Sequence, residues 1–411
     1  MSRQIVGLTG AFGSGTSYII DTFFNKKDKD DEEYEKLSLS DVLKTKYEEE
    51  NGKGAIKKLG SAKRRELQDY GNKLRKDDPA ILVKEVDRSI VSDKNYVIDS
   101  FRNPCEVEYF RKKYPEFILI GVFAGFETRK KRVEKENPGD FNYAIFLRDD
   151  ERDSGKREPH YGQKVSDCFF ESDLVISNDV NFTDDVLKSD KREVIKNYLK
   201  AFREPLESSP NQAEILMAEA YITGRQSRCI KRRVGAIVAN KEDRIVSSGF
   251  NSVPKGQIPC ATKYKDSTPK CYRDHKREEL ARDIFGMQED VNVTSEFSEA
   301  FKNEIERFSG AFKDKVKLLD YCRSLHAEEN AITGLAGSGV DLKDSTIYVT
   351  THPCNLCANK IVQSGVKNVI YFEPYPIVEA QEILKKGSVT STPFEGVTFR
   401  AFFKAFKYGP N

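Results

Sequence analysis

The sequence predicts an α/β fold in two parts, and three observations carry that expectation. In the first half, short apolar strands alternate with helical stretches, the order that builds a parallel sheet with helices on both faces. In the second half, a strand, a tight turn and two helical stretches frame one imidazole, one carboxylate and two thiols. Between the halves, Pro205 to Asn211 (PLESSPN) reads as a linker, two prolines with small polar residues between them. The expected division is residues 1–204, a linker at 205–211, and residues 212–411 with a long insertion at about 252–321.

At 411 residues the chain fits two or three domains. Lys and Arg number 68 against 66 Asp and Glu, so a net charge of +2 argues against a globally basic nucleic-acid binder. The longest apolar run, Phe117 to Phe126, is too short to cross a bilayer, and the start MSRQIVGLTG enters a strand without a signal-peptide layout. Eight cysteines, scattered apart from one C-x-x-C pair, suggest a reducing compartment. A cytoplasmic protein without membrane contact is expected.

Ile5 to Thr9 is a short strand. It runs into Gly10, Ala11, Phe12, Gly13, Ser14, Gly15, Thr16 and Ser17, then an apolar helix start. The G-x-x-x-x-G spacing followed by a hydroxyl residue matches a phosphate-binding loop, whose backbone N–H groups aim at an anion. Thr16 stands where such loops carry Lys, which argues against phosphoryl transfer; Ser17 remains as a magnesium-facing hydroxyl. ATP, GTP or another nucleotide with Mg2+ is the expected ligand, the alternative being a glycine turn that only packs a helix on the sheet. Tyr96 to Asp99 is a strand ending in an acid, and Phe117 to Phe123 another buried strand. The helix Glu127 to Glu136 places Arg129 and Arg132 on one side, similar to the lid of monophosphate kinases, the alternative being a solvated face, and Asp173 to Asn178 is the last strand. This half thus resembles a P-loop kinase-like parallel sheet. The mixed charge run Lys26 to Lys36 reads as an exposed loop or helix end, and Lys57 to Arg75 as a solvated helix.

In the second half a helix begins at Gln212, Val234 to Ala239 and Arg244 to Asn251 form a hairpin, and Thr346 to Thr350 is a buried strand. Asn368 to Phe372, the helix Ile377 to Lys386 and a closing strand Val397 to Phe403 complete it. Cys354 and Cys357 lie three apart, on one face of a helix turn that Pro353 opens. His326 and Glu328 stand at the front of a second helix, so two helix N-termini favour thiolates at one metal. His326, Cys354 and Cys357 are three ligands, which leaves a fourth zinc position for water, as in catalytic sites. Glu328 is then the acid/base that moves the water's proton. The competing structural reading is a closed zinc knuckle, for which His352 is the neighbouring fourth donor.

The H-x-E…P-C-x-x-C pattern resembles the signature of zinc nucleobase deaminases. The order helix, hairpin, HAE helix, strand, PCxxC helix, strand is similar to the cytidine-deaminase-like α/β/α fold, and VGAIVANKEDRIVSSGFNSVPKG to the hairpin of deoxycytidylate deaminases. The kinase-like half fused ahead of it resembles the bacterial antiphage dCTP deaminases. That resemblance implies zinc-dependent conversion of dCTP, and often dCMP, to the uracil nucleotide, draining dCTP during phage infection. It also implies a homo-oligomer and, in some members, restraint by a small inhibitory RNA. Asn251 matches the hairpin residue that contacts the sugar, since an amide both donates and accepts; a plain turn residue is its alternative. Arg232, Arg233 and Lys255 are candidates for the phosphates. In the insertion, Cys260, Cys271 and His275 with Cys322 could make a second, structural zinc, the alternative being reduced, partly buried thiols. Val291 to Phe312 reads as a polar helical lid or contact segment. The rival functions are an RNA or tRNA base deaminase, and a nucleotide-sensing regulator built on the P-loop with the zinc half as scaffold.

Overall fold

The structure is a computed structural model. It describes every residue except 1–2, 26–31, 92, 137, 140, 156–157, 180–184, 264–270, 286–306, 308–320, 375–377 and 408–411. The chain forms two compact units, Met1–Ile215 with Pro393–Asn411, and Leu216–Thr392. Among the described residues no helix is long and apolar enough to cross a membrane.

The first unit is built on β1 (Ile5–Thr9), β2 (Tyr34–Ser38), β3 (Asn95–Asp99), β4 (Ile118–Phe123) and β5 (Leu174–Ser177), all parallel. A two-residue strand, β11 (Gly396–Val397), adds antiparallel to β5, and the order is β11-β5-β4-β1-β3-β2. Strands buried on both faces alternate their side chains between two cores. Val6, Leu8, Ile120 and Val122 join Ile195 and Leu199 on one face. Ile5, Leu119, Tyr96 and Ile98 join Leu82, Val86 and Phe110 on the other.

Three features differ from the sequence expectation. The charge run holds β2 from Tyr34, whose register along β3 overrides a weak strand propensity; residues 26–31 of that run lie outside the described residues. The basic helix, observed as Lys63–Asp77, is not simply solvated: Arg75 meets Glu106 at 2.8 Å with both side chains at most 1% exposed, and Arg64 pairs with Asp149 and Asp153. The segment expected to close the second half instead closes the first. Val397 is buried in the first unit's core, its N–H donates to Glu214, and Thr398 N–H donates to Asp173 O; no strand continues to Phe403, where Phe402–Ala405 is helical. A buried valine on the open edge of β5 gains both a core and a ladder there. The compact units therefore divide near residues 215 and 392 rather than once at the linker.

The second unit carries a five-stranded sheet in the order β10-β9-β8-β6-β7. β6 (Gly235–Ala239) pairs antiparallel with β7 (Ile245–Phe250) and β8 (Thr346–Thr351), while β8 and β9 (Asn368–Glu373) are parallel; β10 is Thr390–Pro393. The hairpin, the buried strand and the strand after the cysteine helix fall where the sequence places them. Of the insertion, helices Cys260–Lys263 and Tyr272–Phe285 are described. The expected lid at 291–312 lies outside the described residues apart from Arg307.

Candidate metal centre and phosphate loop

In the second unit, helix Ala327–Thr333 begins just after His326, and helix Asn355–Ser364 just after Cys354. The first rests on β7: Ser247 Oγ donates to Ala331 O at 2.7 Å, and Asn330 Nδ2 to Phe250 O at 2.6 Å. The second follows β8 through Pro353, with Cys357 and Ala358 buried. These two helix starts put His326 Nδ1 3.3 Å from Cys354 Sγ and 3.3 Å from Cys357 Sγ. Zinc–nitrogen and zinc–sulfur bonds of roughly 2.0–2.3 Å in a tetrahedron demand N···S separations of about 3.5 Å. The donor atoms lie within 4.8 Å of one another, and among the described residues they are the one such group. The set of one imidazole and two thiols on that spacing fits zinc.

The electrostatics of the cluster are those of groups sharing protons. His326 is pushed up to about 10, first by its hydrogen bond with Cys322 and then by that with Cys354. Cys354 falls to about 4, chiefly through its hydrogen bond with Cys357, whose own thiol is pushed up by the same contact. Metal binding requires neutral imidazole and thiolates, so loading releases these protons. Glu328 is 4% exposed, hydrogen-bonds with Cys357, and is pushed up to about 7 by burial. A carboxyl held there can both take and return a proton near neutral pH.

His352 is not placed as a fourth donor. Its Nδ1 lies 2.9 Å from Pro353 O, its Nε2 3.3 Å from Ser391 Oγ, and its ring meets Tyr371 edge-on. The proposed second zinc set is not assembled either. Cys260, Cys271 and Cys322 line one cavity of about 330 Å³, but with His275 they form no group close enough for one ion. Cys322 instead lies beside His326, a contact that its position four residues before the histidine left unread. A cavity of about 430 Å³ is lined by His326, Glu329, Leu356 and Lys360 and shares Pro254, Cys322 and Arg323 with the smaller one. Both volumes suit a small ligand. Arg228, Lys255, Arg273 and Arg323 line the smaller cavity, two of them in the insertion. Of the other phosphate candidates, Arg232 pairs with Glu373 and Arg233 is exposed. Asn251 accepts from Val234 N–H at 2.8 Å and donates to Arg232 O at 2.9 Å, which leaves one lone pair and one N–H of its amide.

In the first unit, the loop Gly10 to Ser17 joins β1 to helix Thr16–Ile19. Gly13 and Gly15 adopt φ of +78° and +84°, and a Cβ at Gly15 would lie 2.6 Å from Asn178 Nδ2. Ser17 Oγ donates to Asp99 Oδ2 at 2.7 Å, while Asp99 Oδ1 is buried without a hydrogen-bond partner. A hydroxyl and a carboxylate are oxygen donors of the kind Mg2+ takes. Arg129 and Arg132 neither form a solvated face nor stand free as a lid. Arg129 pairs with Asp150 and donates to Phe12 O at 3.0 Å; Arg132 donates to Ser14 O at 3.3 Å and to Asn178 O at 2.6 Å. They fasten the loop through its carbonyls.

Comparison with known proteins gives these findings. The family described as "Cytidine and deoxycytidylate deaminase zinc-binding region" matches residues 210–373. The deoxycytidylate deaminase of Enterobacteria phage T4 is 32% identical over 175 residues, 40% of this chain and 79% of that protein. ComE operon protein 2 of Bacillus subtilis is 42% identical over 179 residues, 43% of this chain and 68% of that protein. Among solved structures, dCMP deaminase of cyanophage S-TIM5 aligns at 21% identity and a TM-score of 0.28, over 46% of this chain and 100% of that one.

Proposed function

The chain belongs to the cytidine and deoxycytidylate deaminase family, and on that premise we propose that it hydrolyses the 4-amino group of deoxycytidine nucleotides, dCMP, dCTP or both. The products are the uracil nucleotide and ammonia. The observation that carries this reading is the imidazole nitrogen 3.3 Å from both thiols, with the buried Glu328 carboxyl against Cys357.

His326, Cys354 and Cys357 would hold zinc. Bound zinc supplies the acidity that lets water act as a nucleophile near neutral pH. Glu328 accepts the proton of the attacking water, delivers it to ring nitrogen N3, and then assists the departing ammonia. The free lone pair and N–H of Asn251 serve a sugar hydroxyl. Arg228, Lys255, Arg273 and Arg323 supply cations for the phosphates without a carboxylate partner among the described residues. Draining dCTP during phage infection, within a homo-oligomer restrained by a small RNA, is the role proposed from the fused architecture.

The test is incubation of the purified protein with dCMP, dCTP, CMP and a cytosine oligonucleotide, followed by chromatography of products and assay of ammonia. Deoxyuridine nucleotide from dCMP or dCTP is expected. Turnover of the oligonucleotide above that of free nucleotides contradicts the proposal.

For the first unit the proposal is a nucleotide triphosphate with Mg2+ held by loop amides, Ser17 and Asp99, without phosphoryl transfer. Thr16→Lys restores a cation at the phosphates and should tighten triphosphate binding about tenfold, one charge-assisted hydrogen bond. Calorimetry of the full chain reads this, and zinc content should not change. No nucleotide binding by either protein removes the role.

A further inference from the structure

We infer that Glu329 and Lys360 are positioning residues that staple the histidine helix to the cysteine helix and so govern how tightly the metal is retained. The inference rests on the metal reading above. Glu329 sits in the first turn of helix Ala327–Thr333, where its Oε2 accepts from the backbone N–H of His326 at 3.3 Å. Its Oε1 accepts from Lys360 Nζ at 2.6 Å. Lys360 follows Cys357 by three residues on helix Asn355–Ser364, hence on the same face. One carboxylate is therefore bonded to the main chain of one ligand residue and to an ammonium on the helix that carries the other two.

The pair is too exposed to matter much for folding: the Glu329 side chain is 19% exposed and that of Lys360 43%. What it can control is separation. His326 Nδ1 must stay close to both sulfurs while its own helix and the cysteine helix belong to segments far apart in sequence. Outer contacts that orient ligands commonly change metal affinity by about 10–100-fold when removed. Both side chains also line the cavity that reaches His326, so the staple stands at the site's edge.

The test follows zinc transfer from the full-length protein to a colorimetric chelator, with no nucleotide present, alongside thermal melting. Glu329→Gln keeps an oxygen for the His326 N–H but loses the charge; Lys360→Met loses the charge and keeps the stem. Each should release zinc about 10–100-fold faster, the double variant no faster than the worse single one, and Lys360→Arg at close to the wild-type rate. Melting should change little in any of them. Wild-type release rates in the single variants, effects that multiply in the double, or failure of Lys360→Arg to restore retention would overturn the inference. A wild-type protein that takes up no zinc overturns both this inference and the metal reading. One that holds zinc yet deaminates no nucleotide overturns the functional reading alone.

Discussion

Glu328→Gln should lower turnover of the deoxycytidine nucleotide by about 10²–10⁴-fold and leave zinc content at the wild-type level. The substitution preserves shape and hydrogen-bonding atoms, so the first turn of helix Ala327–Thr333 has no reason to move. It removes only the capacity to accept and return a proton. Glu328 is not among the three donor atoms that cluster, and its carboxyl is buried beside Cys357 rather than in solvent. Product chromatography and metal analysis on the same preparation check the expectation. Full turnover would mean that another group moves the proton. Loss of zinc together with activity would mean that the carboxyl holds the metal.

Gly249→Ala should cost the second unit about 1–3 kcal/mol and strip it of zinc. Gly249 lies in β7 directly beneath the histidine helix. A Cβ there would come within 2.3 Å of Ala327 O and 2.4 Å of Ala331 N, both backbone atoms. Side chains could swing aside, but a helix backbone moves as a body. Ala327 and Ala331 are fully buried, so the helix has no slack on that face. Its displacement carries His326 away from sulfurs that β8 and the cysteine helix hold in place. Melting with and without added zinc, together with zinc content, reads the effect. A variant that melts and loads like the wild type would show that contact with β7 does not place His326.

The cluster at the candidate site was legible because its parts are local. Cys354 and Cys357 share a helix turn, His326 and Glu328 share another, and each turn follows a recognisable strand or cap. The parallel strands of the first unit were legible for the same reason: β1 and β4 are mostly apolar runs, and Asp99 ends β3 where a loop hydroxyl can reach it. What the sequence did not reveal depends on pairings between distant segments. The Glu329–Lys360 bond spans 31 residues, and nothing in either helix taken alone points to the other. The capture of Val397 by the edge of β5 spans more than 200 residues and reverses the assignment of the last strand. Arg64 and Arg75 read as solvent-facing because their carboxylates lie on other helices. The thiols of the insertion suggested a second zinc by composition; the fold spreads them around a cavity and sends Cys322 to His326 instead.

His326, Cys354 and Cys357 would hold one zinc and leave a fourth position for water, with Glu328 as the neighbouring base. X-ray absorption at the zinc edge of the loaded, full-length protein tests this most directly. The account predicts two sulfurs near 2.3 Å and two nitrogen or oxygen neighbours at about 2.0 Å. A zinc with three or four sulfurs, Cys322 among them, would contradict it, because the closed site would leave no room for water beside the carboxyl.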